Sequence, residues 1–183
     1  MDQRTTEQTA RAIEIVRAFE PGSDDLAAKS RELVLGLLEQ SADPFSRFQY
    51  APGHITCTAL VRHPREPLVL FMHHHRLRRW LLPGGHFESS DDSLPAAAAR
   101  EAIEETAVRL DTGSGRLVGI DVHGIPPKKQ EPYHLHHDLI WCFRASNEAI
   151  ETSDEAPQVA WAGQDDWDRL GIAESIRRSI LRG

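Results

Sequence analysis

The stretch that most constrains this chain is residues 84–108, which read GGHFESSDDSLPAAAAREAIEETAV. Within it, Glu101, Glu104 and Glu105 have the i, i+3 and i+4 spacing that places side chains on one face of an α-helix. Like charges at this spacing repel one another, and Arg100 is the only cation among them. This face either points into water, as charge runs commonly do, or binds a hard divalent cation such as Mg²⁺ or Mn²⁺ through oxygen ligands.

The surroundings of this helix favour the metal-binding alternative. Its other side carries small and apolar residues, so it can pack closely on a sheet and hold the carboxylates in place. Asp92 or Ser93 can cap its N-terminus. Gly84 and Gly85 precede the helix and predict a sharp backbone turn that offers main-chain polar groups to a ligand.

Residues 85–108 resemble the Nudix box, the signature of hydrolases that act on nucleoside diphosphates linked to another group. The resemblance is carried by the run REAIEETAV at residues 100–108. Two departures stand out: one extra residue lies before Arg100, with Asp91 or Asp92 where the family has a glutamate, and Ala107 replaces a glycine. A looser resemblance covers residues 54–167.

The resemblance implies a pyrophosphohydrolase with an α/β/α sandwich, a mixed sheet, and Mg²⁺ or Mn²⁺ as cofactor. The implied metal ligands are the carboxylates of Glu101, Glu104 and Glu105 and the carbonyl of Gly85. Arg100 completes the implied catalytic set by orienting the glutamates. The general base stays open among Glu101, Glu105 and, after them, Glu155.

Substrate contacts are expected around the glycine pair. They comprise main-chain groups of Gly84 and Gly85, the side chain of His86, and Arg79, one of several arginines upstream that can bind phosphate. The expected partner is a small nucleotide or diphosphate. A net charge of -7 argues against broad binding of nucleic acid or of an anionic membrane.

The chain divides into a helical extension over residues 1–50 and a Nudix hydrolase domain over residues 51–183. Apolar periodicity predicts helices over residues 4–19 and 24–40, which pack either on the main domain or between the subunits of a homodimer. Strands are predicted at residues 55–61, 68–72, 80–82, 117–123, 134–143 and 158–161, with short helices at residues 165–170 and 173–181.

Cysteine usage and hydropathy indicate a cytoplasmic protein. Cys57 and Cys142 both lie in apolar, strand-like runs and are expected to be buried, reduced thiols. No apolar run is long enough to span a bilayer, so no membrane partner is expected.

Two late strands carry polar residues on one face. Alternation places Val118, Ile120 and Val122 together on an apolar face. If the strands pair, the opposite face forms a polar patch, which is either a solvated surface or faces the glutamate helix across a groove. The patch comprises Asp121, His123, His134, His136 and Asp138.

His54, His86 and His136 support a second metal hypothesis. Isopentenyl diphosphate isomerase, a relative with the Nudix fold, is similar in placing metal-binding histidines ahead of the first strand and after the glycine position. It also uses a cysteine where this chain has Gly84. Either the three histidines bind a metal, or His86 contacts substrate and the others form local hydrogen bonds.

The function predicted first is a metal-dependent pyrophosphohydrolase that cleaves a nucleoside diphosphate linked to another moiety. The alternatives are isomerase-like chemistry at a histidine-rich metal site, which the absent cysteine disfavours, and a Nudix-fold ligand sensor without turnover, which the intact R-E-x-x-E-E run disfavours.

Overall fold

The computed structural model of the protein describes residues 3–183, apart from the side chains of Thr112 and Ser114; Met1 and Asp2, where the predicted extension begins, lie outside the described residues. The strands are β1 His54–Arg62, β2 Val69–His74, β3 Arg79–Leu81, β4 Gly84–His86, β5 Leu110–Ile125, β6 His134–Ala145 and β7 Gln158–Ala162. The helices are α1 Gln3–Ala18, α2 Asp25–Gln40, α3 Leu94–Thr106, α4 Trp167–Leu170 and α5 Glu174–Arg182, and a 3₁₀ turn covers Gln164–Asp166.

The strands form one mixed sheet in the order β3-β2-β1-β6-β5, with β7 added beside β2. β1 and β6 are parallel, and the other pairs are antiparallel. β1 changes neighbour along its length, since Arg62 pairs with Val69 of β2 while Thr56 pairs with His86 of β4. β4 therefore extends the sheet at the end of β1 that β2 leaves free.

Helices cover both faces of the sheet, which confirms the predicted α/β sandwich. On one face, Ile55 and Cys57 of β1 share a core with Ala98 and Ala102 of α3, and we call this the α3 face. On the other, Leu60 of β1 packs with residues of α4 and α5, and we call this the α5 face. The alternation of β1 decides which face each of its side chains serves.

A register shift in β5 corrects the predicted strand face. The pairing with β6 slips between Leu117 and Gly119. Val118 consequently packs in the core of the α5 face, whereas Ile120 packs in the core of the α3 face. Simple alternation predicted one shared face for these residues, and a β-bulge breaks that alternation because it inserts a residue that has no cross-strand partner.

The N-terminal helices pack on the α3 face. Ala12 and Val16 of α1 and Val34 of α2 belong to the same core as α3 and the sheet. Asp24 caps α2 by accepting from the N–H groups of Leu26 and Ala27. Packing on the main body accounts for the apolar stripes of both helices, while the division of the chain near residue 50 stays a prediction.

Cys57 and Cys142 are both buried with free thiols, as expected. None of the helices that the structure describes combines the length and apolar character needed to cross a bilayer.

Candidate functional site

Helix α3 begins and ends as its sequence requires. Ser93 is the N-cap, and its hydroxyl accepts from the N–H of Ala96. Pro95 lies in the first turn, where its missing N–H costs nothing. At the other end Ala107 adopts the left-handed conformation with φ 51°, a position that usually holds glycine. The departure from the box glycine thus affects the end of the helix, after the last of its glutamates.

Gly84 and Gly85 do not form the predicted turn. Both lie in the extended strand β4, opposite Thr58 and Cys57 of β1. What they need is space: a Cβ on Gly85 would lie 2.4 Å from Oε1 of Glu101, and one on Gly84 would lie 2.6 Å from Oγ1 of Thr58. The two glycines therefore permit close approach of other groups from opposite sides of β4.

We define the carboxylate cluster as Glu101, Glu104 and Glu105, of which Glu105 is buried and Glu101 is partly buried. The N–H of Gly84 donates to Glu105 at 2.9 Å. Burial raises the pKa of Glu105 to about 8, and it also raises the pKa of Glu101. Both shifts arise because burial destabilises the charged form of a carboxylate, and at Glu101 the contact with Arg100 offsets only part of this cost.

Arg100 connects the cluster to the preceding loop. Its guanidinium donates to both carboxylate oxygens of Asp91 at 2.9 and 3.0 Å, and to the carbonyl of His86 at 2.9 Å. It also donates to Glu101 at 3.0 Å and to Glu104 at 3.1 Å. Burial by itself would raise the pKa of Asp91, but the bonds from Arg100 hold it below its usual value. Of the two aspartates considered for the family's glutamate position, Asp91 contacts Arg100.

The three glutamate side chains do not all point to one place. The side chain of Glu104 is 58% exposed and contacts Arg100. Among the described residues, the carboxylate cluster does not bring three oxygens within 4.8 Å of one another. The oxygen-only donor set still fits Mg²⁺ or Mn²⁺, because Mg²⁺ commonly takes one or two carboxylates and keeps several waters. The under-compensated carboxylates of Glu101 and Glu105 are suited to such an ion.

Glu155 lies near the carboxylate cluster, whereas Arg79 lies near His123 of the polar patch. Arg79 is exposed at the start of β3, and its charge acts on His123. Glu155 precedes β7, and its carbonyl accepts from the N–H of His75 at 3.0 Å. The negative charge of Glu155 raises the pKa of both Glu101 and Glu105, so its carboxylate lies near them.

The polar patch lies on the α5 face, on the opposite side of the sheet from the carboxylate cluster. Asp121 pairs with Asp138 and His123 with His136, so these side chains do gather as predicted. The patch does not face the glutamate helix, because α3 packs on the other face of β1. Nor is it simply solvated, since His134 and Asp138 are buried. Hydroxyls of Thr56 and Thr58 donate to Asp138 at 3.0 and 2.9 Å.

His86 joins the patch instead of the carboxylate cluster. Its ring centroid lies 5.0 Å from that of His54 and 5.4 Å from that of His136. A pocket opens over these rings, and it is lined by Arg47, Tyr50, Arg76, His86, Ile125, Glu131, His134 and His136. Sequence reasoning missed Arg47 and Glu131 because both lie in connecting segments without a periodic pattern.

Comparisons with known proteins agree on one family. The model of the NUDIX domain matches residues 52–182. A search among curated proteins finds no match.

Solved structures show the same fold. A NUDIX hydrolase from Nitrosomonas europaea is similar at 17% identity and a TM-score of 0.52, covering 71% of this chain and 87% of its own. The NUDIX domain of Shewanella oneidensis NrtR, complexed with ADP ribose, gives 18% identity and a TM-score of 0.51, covering 71% and 86%. A C. elegans Ap4A hydrolase gives 12% identity and a TM-score of 0.49, covering 70% and 93%.

Proposed function

Because this chain belongs to the Nudix family, whose hydrolases cleave pyrophosphate bonds, we propose that it hydrolyses a nucleoside diphosphate linked to another moiety, with Mg²⁺ or Mn²⁺ as cofactor. One observation carries the proposal. The buried carboxylate of Glu105 and the partly buried carboxylate of Glu101 lie beside the backbone of β4, and Arg100, which contacts the group, is shared among several acids. A divalent cation would compensate the remaining negative charge.

The carboxylate cluster and the Gly85 carbonyl would hold the metal. Hydrogen bonds position Glu101 and Glu105 of this group. Arg100 holds Glu101 on one side and the backbone of β4 on the other through the His86 carbonyl. The Gly84 N–H positions Glu105. Bound there, the cation would neutralise charge on phosphate oxygens and lower the pKa of a water molecule.

Proton transfer from the attacking water falls to a carboxylate of this group. Glu101 and Glu105 are the first candidates, because burial moves the pKa of each toward neutrality, where a general base works best. Glu155 follows them, since it is exposed and its charge reaches both.

The substrate would reach both sides of β4. Main-chain groups of Gly84 and Gly85 lie beside the carboxylate cluster, while His86 and Arg79 belong to the side where the pocket opens. The ADP ribose in the complex of the Shewanella domain makes that compound the first substrate to test here. Dinucleoside polyphosphates and nucleotide sugars are further diphosphate compounds to test.

The proposal is tested by a substrate screen. Purified protein should release phosphate or nucleotide from ADP-ribose, dinucleoside polyphosphates or nucleotide sugars when Mg²⁺ or Mn²⁺ is present, and a chelator should stop the release. Glu105→Gln should lower turnover by roughly 100- to 10,000-fold, the range found for catalytic acid–base groups. Glu14→Gln, at an exposed position on α1, is the matched control. Undiminished turnover in Glu105→Gln would contradict the catalytic role proposed for the carboxylate cluster.

Isomerase-like chemistry has weaker support. Gly84 offers no thiol, and a Cβ at that position would lie 2.6 Å from Oγ1 of Thr58 and 2.8 Å from the backbone carbonyl oxygen of Cys57. Conversion of isopentenyl diphosphate to its dimethylallyl isomer would reverse this judgement.

A ligand that raises Tm and survives incubation with metal would favour the sensor function. A homodimer and a cytoplasmic location stay predictions.

A further inference from the structure

Three strands bring His54, His86 and His136 together, and we call this group the histidine triad. His54 and His136 are directly opposite each other in the parallel pair of β1 and β6. His86 comes from β4, which pairs with β1 two residues further along. One ligand atom from each residue lies within 4.8 Å of the other two, and the triad is the only group of this kind among the described residues. Its position on three paired strands makes the arrangement rigid.

The hydrogen bond of His54 fixes which of its nitrogens is free. Nδ1 lies 3.1 Å from the carbonyl oxygen of Gln49, and a carbonyl can only accept, so Nδ1 carries the proton. Nε2 therefore carries no proton and has a lone pair available. It is buried and has no hydrogen-bond partner in the described structure. An unpaired polar atom in the interior is costly, and an imidazole held through Nδ1–H to a carbonyl is the arrangement that metal-binding histidines use.

The electrostatic setting keeps the imidazoles neutral. Burial lowers the pKa of His86 to about 4 and that of His136 to about 2, and it also lowers the pKa of His54. Each ring near neutral pH therefore has a lone pair available. Mutual repulsion of charged rings reinforces this, because protonating one member places a cation beside the others.

We infer that the histidine triad binds a transition-metal ion of the Zn²⁺ class through three imidazole nitrogens. Nitrogens around a tetrahedral zinc ion lie roughly 3.4 Å apart, given Zn–N distances of about 2.0–2.1 Å. The ligand atoms of the triad lie within 4.8 Å of one another, so the three rings would have to approach one another to reach that spacing. Three protein ligands leave a fourth position open, as in zinc sites that bind water or a ligand.

The open position faces the pocket that His86 and His136 line. Arg47 and Arg76 lie on its walls together with Tyr50 and Glu131. Two arginines beside a metal centre suit an anionic group such as a phosphate or carboxylate. The site differs in donor type from the carboxylate cluster, because imidazole nitrogen selects zinc-like ions whereas carboxylate oxygen selects Mg²⁺ or Mn²⁺.

Cobalt provides a direct probe of the inference. Metal-stripped protein titrated with Co²⁺ should develop visible absorption at one equivalent, Zn²⁺ should displace it, and a large excess of Mg²⁺ should not. His136→Asn should weaken binding by more than roughly 100-fold, since the loss of an outer partner alone commonly costs 10- to 100-fold. His75→Asn, at an exposed histidine outside the triad, is the matched control and should bind as the parent does.

The outcomes separate this inference from the proposed hydrolysis. Glu105→Gln should lower turnover by at least about 100-fold yet retain the cobalt spectrum, so the two claims can fail independently. Equal affinity in His136→Asn, or displacement of Co²⁺ by Mg²⁺, would overturn the histidine site. X-ray absorption of the zinc-loaded parent protein tests it without any substitution: the inference requires three nitrogen ligands at about 2.0–2.1 Å, and an all-oxygen shell would contradict it.

Discussion

The two sides of β4 hold clusters of opposite chemical character. On the α3 face, the carboxylate cluster gathers acids whose pKa values burial raises. On the α5 face, the histidine triad gathers bases whose pKa values burial lowers. One physical cause, the cost of keeping a charge away from water, acts on both. It leaves excess negative charge on one side and unused lone pairs on the other, so each side suits a different metal.

The two clusters are joined through a single strand. Gly85 leaves room for Glu101 on one side, and the next residue, His86, sends its ring to the other. Arg100 spans the junction by bonding Glu101 and the His86 carbonyl. Substitutions near β4 can therefore show whether the two sides act independently.

Gly85→Ala should produce the largest separation of the two sides. The new Cβ would lie 2.4 Å from Oε1 of Glu101, so that carboxylate must move. We expect hydrolysis to fall about 100-fold, the cost of misplacing a catalytic group by roughly 1 Å, while cobalt binding persists. Gly36→Ala in α2, where a Cβ would meet nothing within 4 Å, is the control. Loss of both functions would show that the sides are one site.

The pH dependence of stability should differ in sign between the sides. In metal-free protein, the raised pKa of Glu105 adds stability that is fully present below about pH 4.5 and is lost as the pH rises to about 8. The lowered pKa of His136 adds stability that is fully present above about pH 6.5 and is lost as the pH falls to about 2.

Denaturant unfolding across this pH range measures both contributions. Glu105→Gln should reduce the loss of unfolding free energy at alkaline pH by on the order of 2 kcal/mol. His136→Asn should likewise reduce the loss of unfolding free energy at acid pH. If each variant leaves its own loss unchanged, the two groups do not have the assigned protonation states.

Arg100→Lys tests the connection between the sides. Lysine keeps the charge but loses the paired bonds to Asp91, and it cannot reach all the acceptors that the guanidinium contacts. We expect roughly a 10-fold loss of kcat/KM, at the lower end of the range for groups that orient metal ligands. Arg17→Lys, whose partner Glu39 is at the surface, is the control and should be neutral. An equally small effect in both variants would contradict the orienting role.

Ala107→Gly should have the smallest effect, and it should be favourable. Ala107 has φ 51°, which costs roughly 1–2 kcal/mol for a residue with a Cβ, so glycine should stabilise the fold by about 1 kcal/mol. Ala99→Gly, inside the same helix, should instead destabilise by about 1 kcal/mol. Thermal or denaturant unfolding of both variants measures the difference. A destabilised Ala107→Gly would show that the left-handed conformation carries no strain.

Local patterns allowed most of the fold to be predicted. Periodicity located most strands within a few residues, although β5 begins at Leu110, well before the predicted start, and β4 was predicted as a turn. The spacing of Glu101, Glu104 and Glu105 placed them on one helix. The bulge beside Val118 escaped prediction, because a register slip depends on pairing with β6 and has no local signal. The extended conformation of Gly84 and Gly85 escaped it for the same reason, since the groups that demand their small size are Thr58 and Glu101.

The parts of the site formed by residues close in sequence could be predicted, whereas the parts formed by residues that meet only in the fold could not. Asp91 and Arg100 are nine residues apart, and the sequence already suggested that an aspartate in this loop replaces the family's glutamate. Arg47 reaches the pocket only through tertiary packing. The position of the polar patch relative to α3 also required the sheet, because alternation gives the faces of each strand but not the face on which a helix packs.

The packing of α1 and α2 carries a practical consequence for anyone engineering this enzyme. The family match starts at residue 52, yet Val16 and Val34 lie in the core that supports α3, and Arg4 donates to the carbonyl of Asp91 beside the Arg100 anchor. Removing residues 1–51 would expose to solvent the apolar core residues that pack between α1, α2 and α3. A chimera that transplants this active site should carry both leading helices with it.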